Sequence, residues 1–236
     1  MISEEAVTKK MYGISEVVSM KIGMMGGTFD PIHNGHLHLA QTALTQFDLD
    51  QIWFMPNGMP PHKKQSSIES DIHERIAMTQ IAIKANKQFY LQEYEAKREK
   101  VSYSYKTMEH FRKMYPDDEF YFIIGADSLF SIETWKHPER LFKACIILAA
   151  CRDEAATKES LNGQIQMLKG KYGAHIKFLA MPLEHVSSHE IRKLIESGEP
   201  VSEYIPAEVE ALQSERKDCM DQEIEKISKK LNERTG

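Results

Sequence analysis

The chain has 236 residues, 42% of them hydrophobic and 28% charged, with a formal net charge of −5. That balance supports a packed core and excludes global disorder, and the missing basic surplus excludes the electrostatic footprint of a duplex nucleic-acid binder. No apolar run approaches the roughly 20 residues of a membrane span, so neither nucleic acid nor membrane is an expected partner.

Three scattered cysteines, Cys145, Cys151 and Cys219, make neither a disulfide framework nor a Cys-based zinc site, and they suit a reducing compartment. Glu4, Glu5, Lys9 and Lys10 interrupt any signal-peptide core. The expected location is the cytoplasm.

Residues 1–19 mix charges without a clear period and read as a poorly ordered extension. Residues 21–25 read as a buried strand ending at Gly26-Gly27, and apolar positions Leu37, Ala40, Leu44 and Phe47 place a helix over 36–47. A second strand covers 52–55 and stops at Pro56-Asn57-Gly58. Helical patterns follow over 72–85 and 105–114, with a strand over 89–94 between them. Further strands are expected at 120–124, 145–149 and 175–180, and a helix at 188–197 that stops near Gly198. Strand–helix alternation of this kind predicts an α/β fold, a Rossmann-like doubly wound parallel sheet covered on both faces. The domain division expected is an extension over 1–19, the main domain over 20–206, and a charged helical tail over 207–236. A homo-oligomer is compatible with the sequence but not readable from it.

Ligands on such sheets sit beyond the carboxyl ends of the strands, and the unusual polar segments fall there. The first runs from Gly26 through Gly27, Thr28, Phe29, Asp30 and His33 to Gly35 and His36. Glycines allow a tight turn and close approach to a ligand. The helix start that follows offers unpaired N–H groups and the positive end of a dipole. His33 and His36, three apart, can share a face and donate to phosphate oxygens as charge develops. The segment is neither a P-loop nor a dinucleotide fingerprint. A histidine pair alone is more often structural, and His33, His36 and His38 also leave a metal-ligand alternative, although their spacing is a weak metal signature. The second segment is Ser187-Ser188-His189-Glu190-Ile191-Arg192, where a serine cap, free N–H groups and one Arg form a plausible anion cradle.

The first segment resembles the G-x-F-x-P-x-H-x-G-H signature of the nucleotidyltransferase superfamily, and its Gly-Gly-Thr-Phe-Asp-Pro-Ile-His form is similar to bacterial nicotinate-nucleotide adenylyltransferases. The second resembles that family's I-S-S-T-x-I-R, with His189 in place of Thr. Further likenesses lie in Pro60-Pro61-His62-Lys63, in Ser102-Tyr103-Ser104 and in Gly125-Ala126-Asp127-Ser128 with Trp135-Lys136. Lys106 stands where the family has Asp. The resemblance implies adenylyl transfer from ATP to nicotinate mononucleotide, with release of pyrophosphate and Mg²⁺ carried by ATP. It implies catalysis by His33, His36 and Arg192, and ATP contacts at Gly26, Gly27, Thr28, Phe29, Gly35, Gly125, Asp127, Ser187 and Ser188. It places the mononucleotide at Lys63, Ser104, Trp135 and Lys136, with the indole stacked on the pyridine ring. Three rivals remain: a sister transferase for another phosphorylated acceptor such as phosphopantetheine, a His-dependent metal hydrolase, and a nucleotide-binding module without turnover.

Overall fold

The computed structural model describes residues 19–58, 68–98, 100–152, 155–181 and 187–215. Six strands form one fully parallel sheet: β1 Lys21–Gly27, β2 Gln51–Pro56, β3 Phe89–Leu91, β4 Glu119–Gly125, β5 Ile146–Arg152 and β6 Ile176–Met181. Their order is β3-β2-β1-β4-β5-β6. The chain winds outward from β1 to one edge, returns to pair β4 against β1, and winds outward to the other edge. The reversal between β1 and β4 is the topological switch point, where a doubly wound sheet opens a crevice. The Rossmann-like expectation holds.

Both faces of the sheet are covered, and alternate residues along each strand serve opposite cores. Ile22 and Met24 of β1, Phe120, Phe122 and Ile124 of β4, and Ile147 and Ala149 of β5 enter one core. Helices α3 Ser104–Met114, α4 Ala126–Ser131, α5 Pro138–Ala144 and α6 Ala155–Tyr172 lie in chain order on that side, and Met108, Phe111, Leu129, Leu141 and Leu161 fill it. Met25, Ile52, Phe54, Tyr121, Ile123 and Leu148 enter the second core with Ala40 and Ala43 of α1 Asn34–Gln46, Met78 of α2 Ile72–Ile83 and Ile191 of α7 Ser188–Ser197. Each fully buried Ile, Leu, Met or Phe contributes about 1.5–3 kcal/mol.

Helix ends follow local chemistry. Asp71 caps α2 by accepting from the His73 and Glu74 backbone N–H groups, while Glu74 accepts in return from Asp71. Gly198, with φ +75°, closes α7 in the left-handed conformation that glycine adopts without strain. Three helices go beyond the expected elements: α4, α5 and the 18-residue α6. The strand expected over 89–94 stops at Leu91, where its ladder with β2, from Ile52–Phe89 to Phe54–Leu91, ends. Residues 207–215 form a helix with Val209 buried in the second core; of the expected tail, only these are described. The expected extension over 1–19 lies outside the described residues except at position 19. Among the described residues no helix is long and apolar enough to cross a membrane.

Candidate active site

A cleft of about 680 Å³ opens at the carboxyl ends of β1 and β4. Its floor is Met25, Gly26, Gly27 and Phe122 to Gly125 from the two strands. Thr28 and His36 form one wall, and Ser102, Tyr103, Ser104, Trp135 and Lys136 form the other.

The turn from β1 into α1 is tightly constrained. A Cβ on Gly27 would lie 2.6 Å from the Phe29 ring, so the ring packs directly on glycine backbone. Phe29 itself has φ +52°, a conformation that costs a bulky residue on the order of 1–3 kcal/mol. Burial offsets this: Phe29 is 1% exposed, with its ring 6.0 Å from Phe54 and edge-on to His36 at 5.0 Å. The strained residue thus supports the imidazole that faces the cleft.

His33 and His36 come together with ring centroids 3.7 Å apart. His33 precedes α1, and its backbone N–H donates to His36 Nδ1 (3.2 Å). An accepting Nδ1 leaves the proton of the neutral ring on Nε2, which makes Nε2 the donor of the His36 ring. His33 lies behind it and is buried, and burial lowers its imidazole from the ordinary 6.5 to about 4. The ring is therefore neutral at pH 7, and its Nδ1 has no hydrogen-bond partner among the described residues. The start of α1 is braced from the far end of the chain, where Asn34 donates from its backbone to Tyr204 O (2.7 Å) and from Nδ2 to Glu203 O (3.0 Å).

The two sequence motifs meet at this turn. Ser188 Oγ donates to the Pro31 carbonyl (2.9 Å), and Arg192 donates from a terminal nitrogen to the Asp30 carbonyl (2.6 Å). Ser187 is the cap of α7; its Oγ accepts from the Glu190 N–H (3.3 Å) and donates to the Glu190 carboxylate (2.7 Å). Arg192 Nε is held by the Glu69 carboxylate at 2.6 Å. The Asp30 carboxylate, 2% exposed, accepts from the Glu69 and Ser70 N–H groups. Arg75, also 2% exposed, reaches from α2 to the Thr28 and Asn57 carbonyls at 2.8 and 2.9 Å. Burial lowers the Arg75 pKa while Asp30 and Asp71 oppose the shift. One guanidinium thus ties the loop after β1 to the loop after β2.

The opposite wall is built differently. Ser104 begins α3, and the residue before it, Tyr103, supplies no side-chain cap. Ser102 is 7% exposed, lines the cleft, and its hydroxyl has no partner among the described residues. Thr107 Oγ1 donates to the buried Glu95 carboxylate (2.6 Å), closing the 95–107 segment at its neck. Burial raises the Glu95 pKa, opposed by the Thr107 bond and by Arg98. The Glu95 carbonyl sits 2.5 Å from where a Cβ on Gly58 would lie, so the loop after β2 also packs here. Trp135 ends the short helix after α4 and stands edge-on to Phe122 at 6.4 Å. Arg140 braces this wall, paired with Glu109 and lying 4.5 Å over the Tyr105 ring.

Of the expected site residues, Gly26, Gly27, Thr28, His36, Ser104, Gly125, Trp135 and Lys136 line the cleft. His33, Phe29 and Gly35 are buried behind its wall, and Asp127 is exposed in the first turn of α4. Ser188 and Arg192 buttress the loop after β1 from outside the cleft, and Ser187 caps their helix. Lys63 lies outside the described residues. Asp30, Glu69, Arg75, Glu95 and Ser102 had no role from sequence. Asp30 and Ser102 stood inside quoted motifs, while Glu69, Arg75 and Glu95 gave no local signal. Among the described residues no group of three His, Cys, Asp or Glu is placed to hold a metal ion.

Comparison with known proteins identifies the family and the fold. The family model described as cytidylyltransferase-like matches residues 24–194. A probable nicotinate-nucleotide adenylyltransferase of Clostridium kluyveri is 40% identical over 192 residues, covering 80% of this chain and 94% of its own. One from Carboxydothermus hydrogenoformans is 42% identical over 189 residues, covering 80% and 92%. Among solved structures, a Plasmodium falciparum nicotinic acid mononucleotide adenylyltransferase complexed with NaAD superposes with a TM-score of 0.68 at 20% identity, over 84% of this chain and 96% of that one. At that identity the likeness speaks for the fold.

Proposed function

We infer the chemistry from one premise: this chain belongs to the cytidylyltransferase-like family and, within it, to the nicotinate-nucleotide adenylyltransferases. It transfers the adenylyl group of ATP to nicotinate mononucleotide, yielding nicotinate adenine dinucleotide and pyrophosphate, a step of NAD biosynthesis. The 5′-phosphate oxygen of the mononucleotide attacks the α-phosphorus of ATP. As that bond forms, the bond to the β-phosphate bridging oxygen breaks and pyrophosphate leaves, so no nucleophile from the protein is required.

The division of labour assigned here follows the two walls of the cleft. ATP lies along Gly26, Gly27 and Thr28, a surface that Phe29 and Gly35 shape from behind, with Gly125 and Asp127 toward its ribose and its outer phosphates reaching beyond the cleft toward Ser187 and Ser188. His36, His33 and Arg192 stabilise the charge that builds on the phosphates. The observation that carries this is His36 lining the cleft where the β1 turn enters α1, with its Nδ1 accepting from the His33 backbone so that the ring proton sits on Nε2. Such a donor is already oriented before charge develops, and it costs no reorganisation when it does. The mononucleotide occupies the other wall, with Trp135 against its ring, Ser104 on its carboxylate and Lys136 supplying positive charge; the sequence resemblance adds Lys63 to this set.

Among the described residues that line the cleft, Glu95 is the one carboxylate. That donor set suits Mg²⁺ arriving on the triphosphate rather than in a protein cage. Residues 20–206 are assigned as the catalytic unit and the cytoplasm as its location. The test is pyrophosphate release with ATP and Mg²⁺, offering nicotinate and nicotinamide mononucleotide in parallel. Release with the nicotinate form is expected to dominate. Equal rates would overturn the assignment of Ser104, and release with neither would overturn the acceptor.

A further inference from the structure

Arg192, beside the loop after β1, is not a bare cation. Its Nε donates to Glu69 Oε1 at 2.6 Å and a terminal nitrogen donates to the Asp30 carbonyl at 2.6 Å, with the Asp30 carboxylate 3.9 Å away. The Glu69 backbone is anchored to the same residue, its N–H donating to Asp30 Oδ2 (2.8 Å). The side chains differ in exposure, 14% for Arg192 against 50% for Glu69.

An oxyanion on a guanidinium edge is what a phosphate oxygen also offers, with the same sign of charge and the same hydrogen-bond geometry. The two contacts on Arg192 are unequal in this respect. The Asp30 contact is part-buried and belongs to the loop that shapes the site. The Glu69 contact is half in water, where an ion pair is worth little and is easily exchanged.

We propose that Glu69 is a positioning residue that occupies Arg192 while ATP is absent and is displaced by the triphosphate. This rests on the assignment of Arg192 to the ATP phosphates. Glu69 keeps the guanidinium extended toward Asp30, and it also competes with the incoming phosphate for Nε. Its carboxylate therefore sets ATP affinity and leaves the chemical step alone.

Steady-state kinetics of Glu69→Gln, with ATP and mononucleotide varied separately, tests this. The neutral amide keeps the shape and removes the competing charge. The KM for ATP is expected to fall about two- to fivefold, the scale of an exposed ion pair. The kcat and the mononucleotide KM stay at their starting values, and Glu69→Asp restores the ATP KM. In an Arg192→Lys background the Glu69→Gln effect disappears. An ATP KM that is unchanged or raised in Glu69→Gln, while Arg192→Lys alone weakens ATP, overturns the role of Glu69 and keeps that of Arg192. An Arg192→Lys enzyme with normal ATP kinetics overturns the phosphate role of Arg192 and this proposal with it.

Discussion

The two walls of the cleft reach their geometry by opposite routes. The wall at β1 and α1 comes from one short stretch of chain, Gly26 to His36, in which each residue constrains the next. Gly27 admits the Phe29 ring, the ring supports His36, and the His33 backbone fixes the His36 tautomer. The wall at α3 and Trp135 is assembled from separate pieces of chain, held by the Glu95–Thr107 bond and by Arg140 against Glu109 and Tyr105. A contiguous wall is preorganised by covalent connection and close packing. A dispersed wall depends on side-chain contacts that each contribute modestly.

That contrast predicts where substitutions fall. The largest effect belongs to the contiguous wall: His36→Ala should lower kcat about 10²- to 10³-fold, the scale of losing one preorganised donor to developing charge. A melting curve separates this from unfolding, and near-normal turnover in a folded variant would break the comparison at its strongest point.

Next comes stability against pH. His33 is neutral when folded, with its pKa depressed from 6.5 to about 4. Its contribution is fully present above about pH 6.5 and is lost as pH falls toward 4, by at most roughly 3 kcal/mol. Glu95 works in the opposite sense at the other wall. Its raised folded pKa means that stability is present at low pH and declines as pH rises above its ordinary carboxylate value. Urea unfolding of the parent and His33→Gln from pH 4 to 7 should show a flatter acid limb in the variant. Parallel curves would show that His33 is not the buried titrating group.

The smallest effect lies at the dispersed wall. Ser102→Ala should raise the mononucleotide KM about three- to tenfold, the loss of roughly one hydrogen bond, and leave the KM for ATP unchanged. An unchanged mononucleotide KM would mean that the Ser102 hydroxyl does not meet the acceptor.

The same contrast explains what could be read from the amino-acid sequence. The strands were legible because each is a short apolar run bounded by turn residues, and the turn before His36 was legible because its parts are adjacent. The α6 helix was not, since Leu161, Ile165 and Leu168 are a thin buried stripe across 18 residues that also contain Gly163 and Gly170. Nor were α4 and α5, too short to show a period. Arg75 looks like an ordinary solvated helix cation, yet it is buried because carbonyls 47 and 18 residues away converge on it. Glu69 meets Arg192 across 123 residues. Partnerships of that kind exist only once the sheet has brought the loops together, and no local pattern records them.

The position of β1 in the sheet has a consequence for how the molecule breathes. Its backbone is bonded to β2 on one side and to β4 on the other. Amide protons shared between these strands can exchange with solvent only when the sheet itself opens, so their exchange rates should report the global unfolding equilibrium. The segment carrying Trp135 belongs to helices of only three to seven residues outside the strand ladder, where smaller openings suffice. Hydrogen exchange would then show a slow anchor under the histidines facing a faster jaw at the indole, so substrate can be admitted on one side without loosening the other.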